Sequence, residues 1–405
     1  MTKVAVLGFG TVGSGVVEII SGSSFIDKVG KELSVKAILD IRQFPESPFA
    51  DIITNDYEKI LGDDEIEIVI ETMGGIDPAF DFSMRALKAG KSVVTSNKEL
   101  VAKKGAILMK TARENGVSYL FEASVGGGIP IINPLHNCLA ANEINSIMGI
   151  LNGTTNYILT QMIKKGRSFD EALADAQQKG YAEKNPAADV EGHDTCRKIA
   201  ILSALAYGKQ LDSDAIHTEG ITNITLKDVE YAESIDHCIK LIGRSKKIGD
   251  KVYAKVSPLM LPKDHPLSGV EDVFNAILVN GSATGDVMFY GRGAGKLPTA
   301  SAVVADCIDI IKHNKTGAPF WTEGGELTSD SGEDVKYYIR IKNGNQRTEN
   351  GVSAVFGKVR WIESCAGEAV FVTPPLAQAE MAAGIKKLES LFGRDKILGM
   401  IEVLF

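Results

Sequence analysis

Between Ala176 and Lys198 the chain reads AQQKGYAEKNPAADVEGHDTCRK, which brings Glu183, Asp189, Asp194 and Lys198 close together in sequence. Gly180 predicts the end of one helix, Asn185-Pro186 a polar turn, and Asp189 the entry to the next helix. From Ile199 that helix continues as IAILSALAY, apolar on every face, so it should be buried. Asp194 and Lys198 are four apart and share a face of its first turns. An ion pair at the mouth of a buried helix is costly to desolvate without further partners. Glu183 and Asp189, just upstream, are candidates for that role. The plainer reading is a solvated i,i+4 pair with Asp189 as an N-cap. Three carboxylates and an amine gathered ahead of a buried helix favour a site.

A second constellation stands at the N-terminus. KVAVL (3–7) reads as a buried parallel strand, Gly8-Phe9-Gly10-Thr11-Val12-Gly13 follows at once, and SGVVEII continues as a helix. In this strand–turn–helix setting GxGxxG lets the backbone approach a pyrophosphate, with the helix N-terminus facing the anion. A glycine turn serving only helix packing is the competing reading. SVKAILD (34–40) is the next strand, and Asp40 at its end suits the ribose hydroxyls of NAD, while Arg42 could instead meet the 2′-phosphate of NADP.

These groups need a scaffold. Apolar runs alternate with helical patterns through 65–75, 78–90, 91–100 and 117–130, which predicts a doubly wound α/β sheet over 1–130. Its ligands belong at the strand carboxyl ends, where Thr72 and Lys98 fall. Residues 131–312 mix helices, among them one opened by a Ser168/Glu171 capping box, with alternating strands, so a second domain is α+β. A helix near 297–312 follows Tyr290-Gly-Arg-Gly-Ala-Gly295, and 313–405 reads as a small α+β module that begins near Asn314.

Composition narrows the function. A chain of 405 residues exceeds one core. A net charge of −8 argues against nucleic acid as partner. Five scattered cysteines without CxxC suit a reducing cytosol, and no apolar run approaches a membrane span. The N-terminal run ends in glycines and is not a signal peptide, so a cytoplasmic protein is expected. Six histidines without HxxxH spacing give no transition-metal site, and neither GxSxG nor a Cys/His nucleophile pattern is present.

The segment 176–198 resembles the signature of homoserine dehydrogenases through Ala176, Gly180, Tyr181, Ala182, Asn185, Pro186, Asp189, Val190, Gly192, Asp194 and Lys198. The resemblance covers roughly 3–312. It implies a Rossmann domain followed by a catalytic and dimerisation domain. It implies NAD(P)-dependent interconversion of L-aspartate 4-semialdehyde and L-homoserine, in threonine and methionine synthesis, by a homodimer or homotetramer. It places Lys98 of Asn97-Lys98 in the active site, Tyr181 on the substrate side, and Gly293 at the cofactor. It makes Glu122, Val125, Gly127 and Ile129 a sodium or potassium loop. Lys198 is then the proton donor to the nascent alkoxide, Lys98 assists, and Asp194 orients Lys198 and substrate. Glu183 and Asp189 suit the substrate ammonium. Many relatives carry a C-terminal ACT module; here its usual acidic-Pro-Gly-Val-Leu opening is replaced by Glu349-Asn-Gly-Val. Two other functions fit the cofactor motif: an oxidoreductase acting on another small aldehyde, and a non-catalytic NAD(P) sensor.

Overall fold

A computed structural model of the chain describes all residues except 26, 28, 29, 314–318, 366 and 405, so the expected start of the tail at Asn314 lies outside the described residues. It resolves into two compact units. One comprises Met1–Ile147, Arg197–Ala215 and Ile277–Glu326; the other comprises Met148–Cys196, Ile216–Ala276 and Leu327–Phe405.

The first unit is built on β1 (Thr2–Leu7), β2 (Leu33–Leu39), β3 (Ile53–Thr54), β4 (Ile66–Glu71), β5 (Ser92–Thr95) and β6 (Tyr119–Leu120). Every pairing is parallel and the order is β3-β2-β1-β4-β5-β6. This is the doubly wound order of a dinucleotide-binding sheet. β1 is central and covered on both faces, which is why it reads as an unbroken apolar run with Val4, Ala5, Val6 and Leu7 fully buried. Helix Thr11–Gly22 packs Val16, Val17 and Ile20 into the same core as Ala300, Val303 and Cys307 of helix Lys296–His313. Gly15 allows that approach, because a Cβ there would lie 3.0 Å from the Ala300 Cβ.

The later strands are β7 (Ile144–Ile150), β8 (His217–Thr218), β9 (His237–Ile248), β10 (Lys251–Pro262), β11 (Phe274–Gly281), β12 (Gly285–Arg292) and β13 (Leu327–Thr328). After them come β14 (Lys336–Lys342), β15 (Arg360–Ile362), β16 (Glu368–Val372) and β17 (Ile397–Val403). In the second unit β9 and β10 form a twelve-residue antiparallel ladder, and β17 joins β10 in parallel. From β14 onward the chain runs strand, helix Gln346–Phe356, two strands, helix Gln378–Phe392 and strand, in the order β17-β14-β16-β15. That is a βαββαβ module. Its core joins Ile339, Ile341 and Phe371 of the strands to Val352 and Phe356 of one helix and Met381 and Leu388 of the other.

Candidate active site

The glycine turn after β1 is shaped by two opposite demands. Gly13 is pressed against the strand end, so that a Cβ would lie 1.9 Å from the Gly8 carbonyl oxygen and 2.8 Å from Thr72 Oγ1. Gly10 faces open space, with nothing within 4 Å of a Cβ. Gly10 is also the N-cap of helix Thr11–Gly22 and provides no side-chain cap, so the first-turn N–H groups are left for an anion. These residues fit a dinucleotide pyrophosphate. The Thr72 hydroxyl donates toward the carbonyls of Leu7 (3.0 Å) and Gly8 (2.9 Å), so it fastens β4 to this turn.

Asp40 follows β2, as the sequence placed it. Its Oδ2 accepts from the Phe9 N–H at 2.8 Å, and both oxygens accept from the Arg42 side chain at 2.8 and 2.9 Å. That pairing holds the Asp40 carboxyl down to about 2. The Arg42 guanidinium lies over the Phe44 ring at 5.1 Å and leaves its side chain 58% exposed. The carboxylate expected to meet ribose hydroxyls is thus already engaged, and the guanidinium faces out.

At the ends of β4 and β5 a group absent from the sequence reading appears. Glu71 is fully buried and accepts from the Met73 N–H at 2.7 Å and the Thr95 hydroxyl at 2.5 Å. Thr95 Oγ1 accepts in turn from the Asn97 N–H at 2.9 Å. Asn97 Nδ2 reaches the Gly75 carbonyl at 2.6 Å, and its Oδ1 caps helix Lys98–Glu114 at Leu100 N. One buried carboxyl therefore organises the loop after β4 and the turn that presents Lys98. A cation in the first turn of a helix opposes the dipole, typically by ~0.3–1 kcal/mol, which makes Lys98 a poor choice for stability alone.

Burial pushes the Glu71 carboxyl up to about 7. A carboxyl raised in the folded state contributes stability that is complete below its unfolded value, near 4.5, and lost as pH rises through about 7. Glu71→Gln should therefore melt increasingly above the parent as pH passes from 5 to 7.5, followed by circular dichroism. A constant difference across that range would show that Glu71 does not titrate there.

The signature stretch folds as helix Phe169–Gln178, Gly180 in a left-handed turn (φ +75°), a short helix Ala187–Val190, and then helix His193–Tyr207, whose residues from Arg197 onward belong to the first unit. The Ser168/Glu171 capping box is present. The single helix expected from Asp189 is instead broken at Gly192, whose φ of +87° favours glycine. The break puts Asp194 in the first turn of its helix, where the dipole favours a carboxylate. Asp194 is 4% and Lys198 7% exposed, one turn apart. Asn152 Nδ2 bonds both Asp189 (2.7 Å) and Asp194 (2.9 Å). Glu183 stays exposed, and its carbonyl accepts from Gln177 Nε2 at 3.1 Å. Tyr181 is half-exposed and edge-on to Tyr157, with ring centroids 5.0 Å apart.

Within the first unit, Arg197 pairs with Glu99 at 3.3 Å. The pair joins the first turn of helix Lys98–Glu114 to Arg197 of helix His193–Tyr207. Sequence spacing alone could not pair residues a hundred apart.

Both Glu122 oxygens are spent on main-chain donors, the N–H groups of Ile131, Ile132 and Asn133 at 2.6–2.8 Å. Burial nevertheless raises the Glu122 carboxyl. The side chain thus anchors the segment after the loop through Ile131, Ile132 and Asn133. Gly293 meets this loop directly: a Cβ on Gly127 would lie 2.4 Å from its carbonyl oxygen. Among the described residues, no three His, Cys, Asp or Glu side chains gather as metal ligands, and no helix is long and apolar enough to cross a membrane.

A glycine turn of this shape on this sheet order is that of a dinucleotide-binding protein. Known proteins narrow the class. The family profile "Homoserine dehydrogenase, NAD binding domain" matches residues 8–122 and "Homoserine dehydrogenase" matches 130–308. The homoserine dehydrogenase of Synechocystis sp. is 45% identical over 317 residues, 76% of this chain and 73% of that one. That of Helicobacter pylori is 36% identical over 406 residues and 96% of each chain. The crystal structure of a homoserine dehydrogenase from Thiobacillus denitrificans superposes with a TM-score of 0.91 at 33% identity, covering 99% of this chain and 98% of its own. A hyperthermophilic archaeal homoserine dehydrogenase mutant in complex with NADPH aligns at 0.65 and 29% identity, over 76% of this chain and 97% of its own. The chain belongs to the homoserine dehydrogenase family, and its cofactor is NAD or NADP.

Proposed function

We propose that the chain interconverts L-aspartate 4-semialdehyde and L-homoserine, with Lys198 giving the proton to the nascent alkoxide and retrieving it in the reverse direction. The observation that carries this is the buried Lys198, one turn after the buried Asp194. When bound, the nicotinamide supplies or accepts the hydride. Negative charge develops on the aldehyde oxygen as it is reduced, and a lysine ammonium held out of water stabilises that charge while it transfers its proton. Lys98, at the start of the helix whose Glu99 pairs with Arg197, adds a second positive charge. Asp194 orients Lys198. Asp189, with Glu183 and Tyr181 on the preceding turn, takes the substrate ammonium. The test is absorbance at 340 nm with L-homoserine and either NAD or NADP. Growth specific to homoserine supports the assignment; silence in protein that still binds cofactor overturns it.

Gly8 to Gly13 hold the pyrophosphate, and Arg42, fixed by Asp40 and Phe44, takes the 2′-phosphate of NADP. Arg42→Ala should raise KM for NADP about tenfold or more and leave KM for NAD within about twofold, since a guanidinium–phosphate contact is lost only for NADP. Equal effects on both cofactors would remove Arg42 from this role. Gly293 lines the cofactor site from its place against Gly127. A sodium or potassium ion would rest on the main-chain oxygens of Glu122, Val125, Gly127 and Ile129. The functional segments are 1–130, 131–312 and an ACT-like 313–405, in a cytoplasmic homodimer or homotetramer; the family resemblance supports each of these.

A further inference from the structure

We infer that Asn152 is a positioning residue, a neutral double donor that holds Asp189 and Asp194 side by side as carboxylates. The inference rests on the proposed roles of Asp194 and Lys198. Asn152 is 6% exposed, and its amide orientation is dictated by its surroundings. Its Oδ1 accepts from the Thr155 N–H at 2.8 Å, capping helix Gly153–Lys165. Only the oxygen can do that, so Nδ2 must face the acids, and its two protons go to Asp189 Oδ1 at 2.7 Å and Asp194 Oδ2 at 2.9 Å.

The cap itself cannot drift. Gly153 lies so close to the 270–274 loop that a Cβ would sit 2.8 Å from the Val273 carbonyl oxygen. Asn156 Nδ2 donates to the carbonyls of Val270, Asp272 and Phe274 at 3.1–3.2 Å, and the buried Lys240 joins Asn156 Oδ1 (3.2 Å) to the Val270 carbonyl (2.6 Å). Asn152 is therefore a fixed point, while Gly192 makes the turn between its two acceptors a glycine hinge.

Two carboxylates drawn to one place repel, and one of them takes up a proton unless donors favour the charged form. An amide supplies those donors without adding charge. It keeps Asp194 ionised and fixes the position of its carboxylate in the first turn of its helix. Its removal raises the proton affinity of the pair and lets Asp194 turn.

The test separates this from plain capping. Asn152→Asp and Asn152→Ser both retain an oxygen that can cap Thr155 and both lose the double donor. Each should melt within a few degrees of the parent yet lose kcat/KM for L-homoserine by roughly 10–100-fold. The acid limb of the pH profile should move up by about one unit, further in the Asp variant than in the Ser variant. Unchanged kcat/KM and acid limb in both variants, with Lys198→Ala inactive, would overturn the role of Asn152 alone. So would collapse of both melting temperatures, which would make the side chain structural. Normal turnover in Lys198→Ala would instead overturn the underlying site.

Discussion

Lys198→Ala should lower kcat by about a thousandfold or more while dinucleotide affinity stays within about threefold of the parent. General acid–base groups contribute ~10²–10⁴-fold, and a lysine that also stabilises charge in a buried setting belongs at the upper end. Lys198 lies on a helix whose following residues, Ile199 to Ala204, are buried. Truncation removes a methylene stem and an ammonium there, and alanine is the best helix former, so the helix should survive. The cofactor turn is distant in sequence and depends on Gly8 to Gly13, which the substitution leaves alone. Steady-state absorbance at 340 nm, with fluorescence titration of NADPH and a thermal melt, separates the three quantities. Normal turnover in a folded variant would sink the assignment, and loss of NADPH binding would recast Lys198 as structural.

Gly13→Ala is the second large effect, and it acts on folding and binding together. The added Cβ would lie 1.9 Å from a main-chain oxygen, and no rotamer change relieves a clash between backbone atoms. Helix Thr11–Gly22 must shift off β1, at a cost of ~1–3 kcal/mol or more. The N–H cradle moves with it. NADPH affinity should fall at least a hundredfold, and the melting temperature should drop with or without cofactor. Gly10→Ala is the comparison, because open space surrounds that position and its φ of −86° suits any residue. It should melt normally and weaken NADPH binding more mildly by crowding the phosphate. Wild-type melting and affinity in Gly13→Ala would refute the steric account.

What the sequence revealed was local. The β1–turn–helix unit, the capping box and the buried helix after Ile199 are each written in a few consecutive residues. The structure adds what distant residues do to them. Asn152 meets acids 37 and 42 positions away, and nothing in LNGTTNY signals that its amide faces them. Glu71 looked like the end of an apolar strand, yet it ties Met73 to Thr95. Glu122 resembled an open ligand, and only the chain path shows three N–H groups turned toward it. Asp40 and Arg42 were read as alternatives; in space they hold each other. The break at Gly192 was legible in principle, since a glycine amid helix formers often marks a left-handed turn. The two-residue β3 was not, because tertiary pairing with Ile38 and Leu39 decides so short an element.

The pairing of β17 with β10 bears on how this chain is made. Leu259 and Met260 lie opposite Glu402 and Val403, and Glu402 carries ion pairs to Arg244 and, at 2.9 Å, to Lys255. On the ribosome β9 and β10 emerge long before their parallel neighbour. Until it arrives, two basic side chains that end up largely buried lack their carboxylate, and Leu259–Met260 of β10 is an open edge that can pair with a stranger. The Rossmann strands β1 to β6 can pair early, whereas the Leu259–Met260 end of β10 waits for β17. Ribosome-stalled chains ending before residue 397 should thus be protease-resistant in the first sheet and cut readily near Leu259 and Met260.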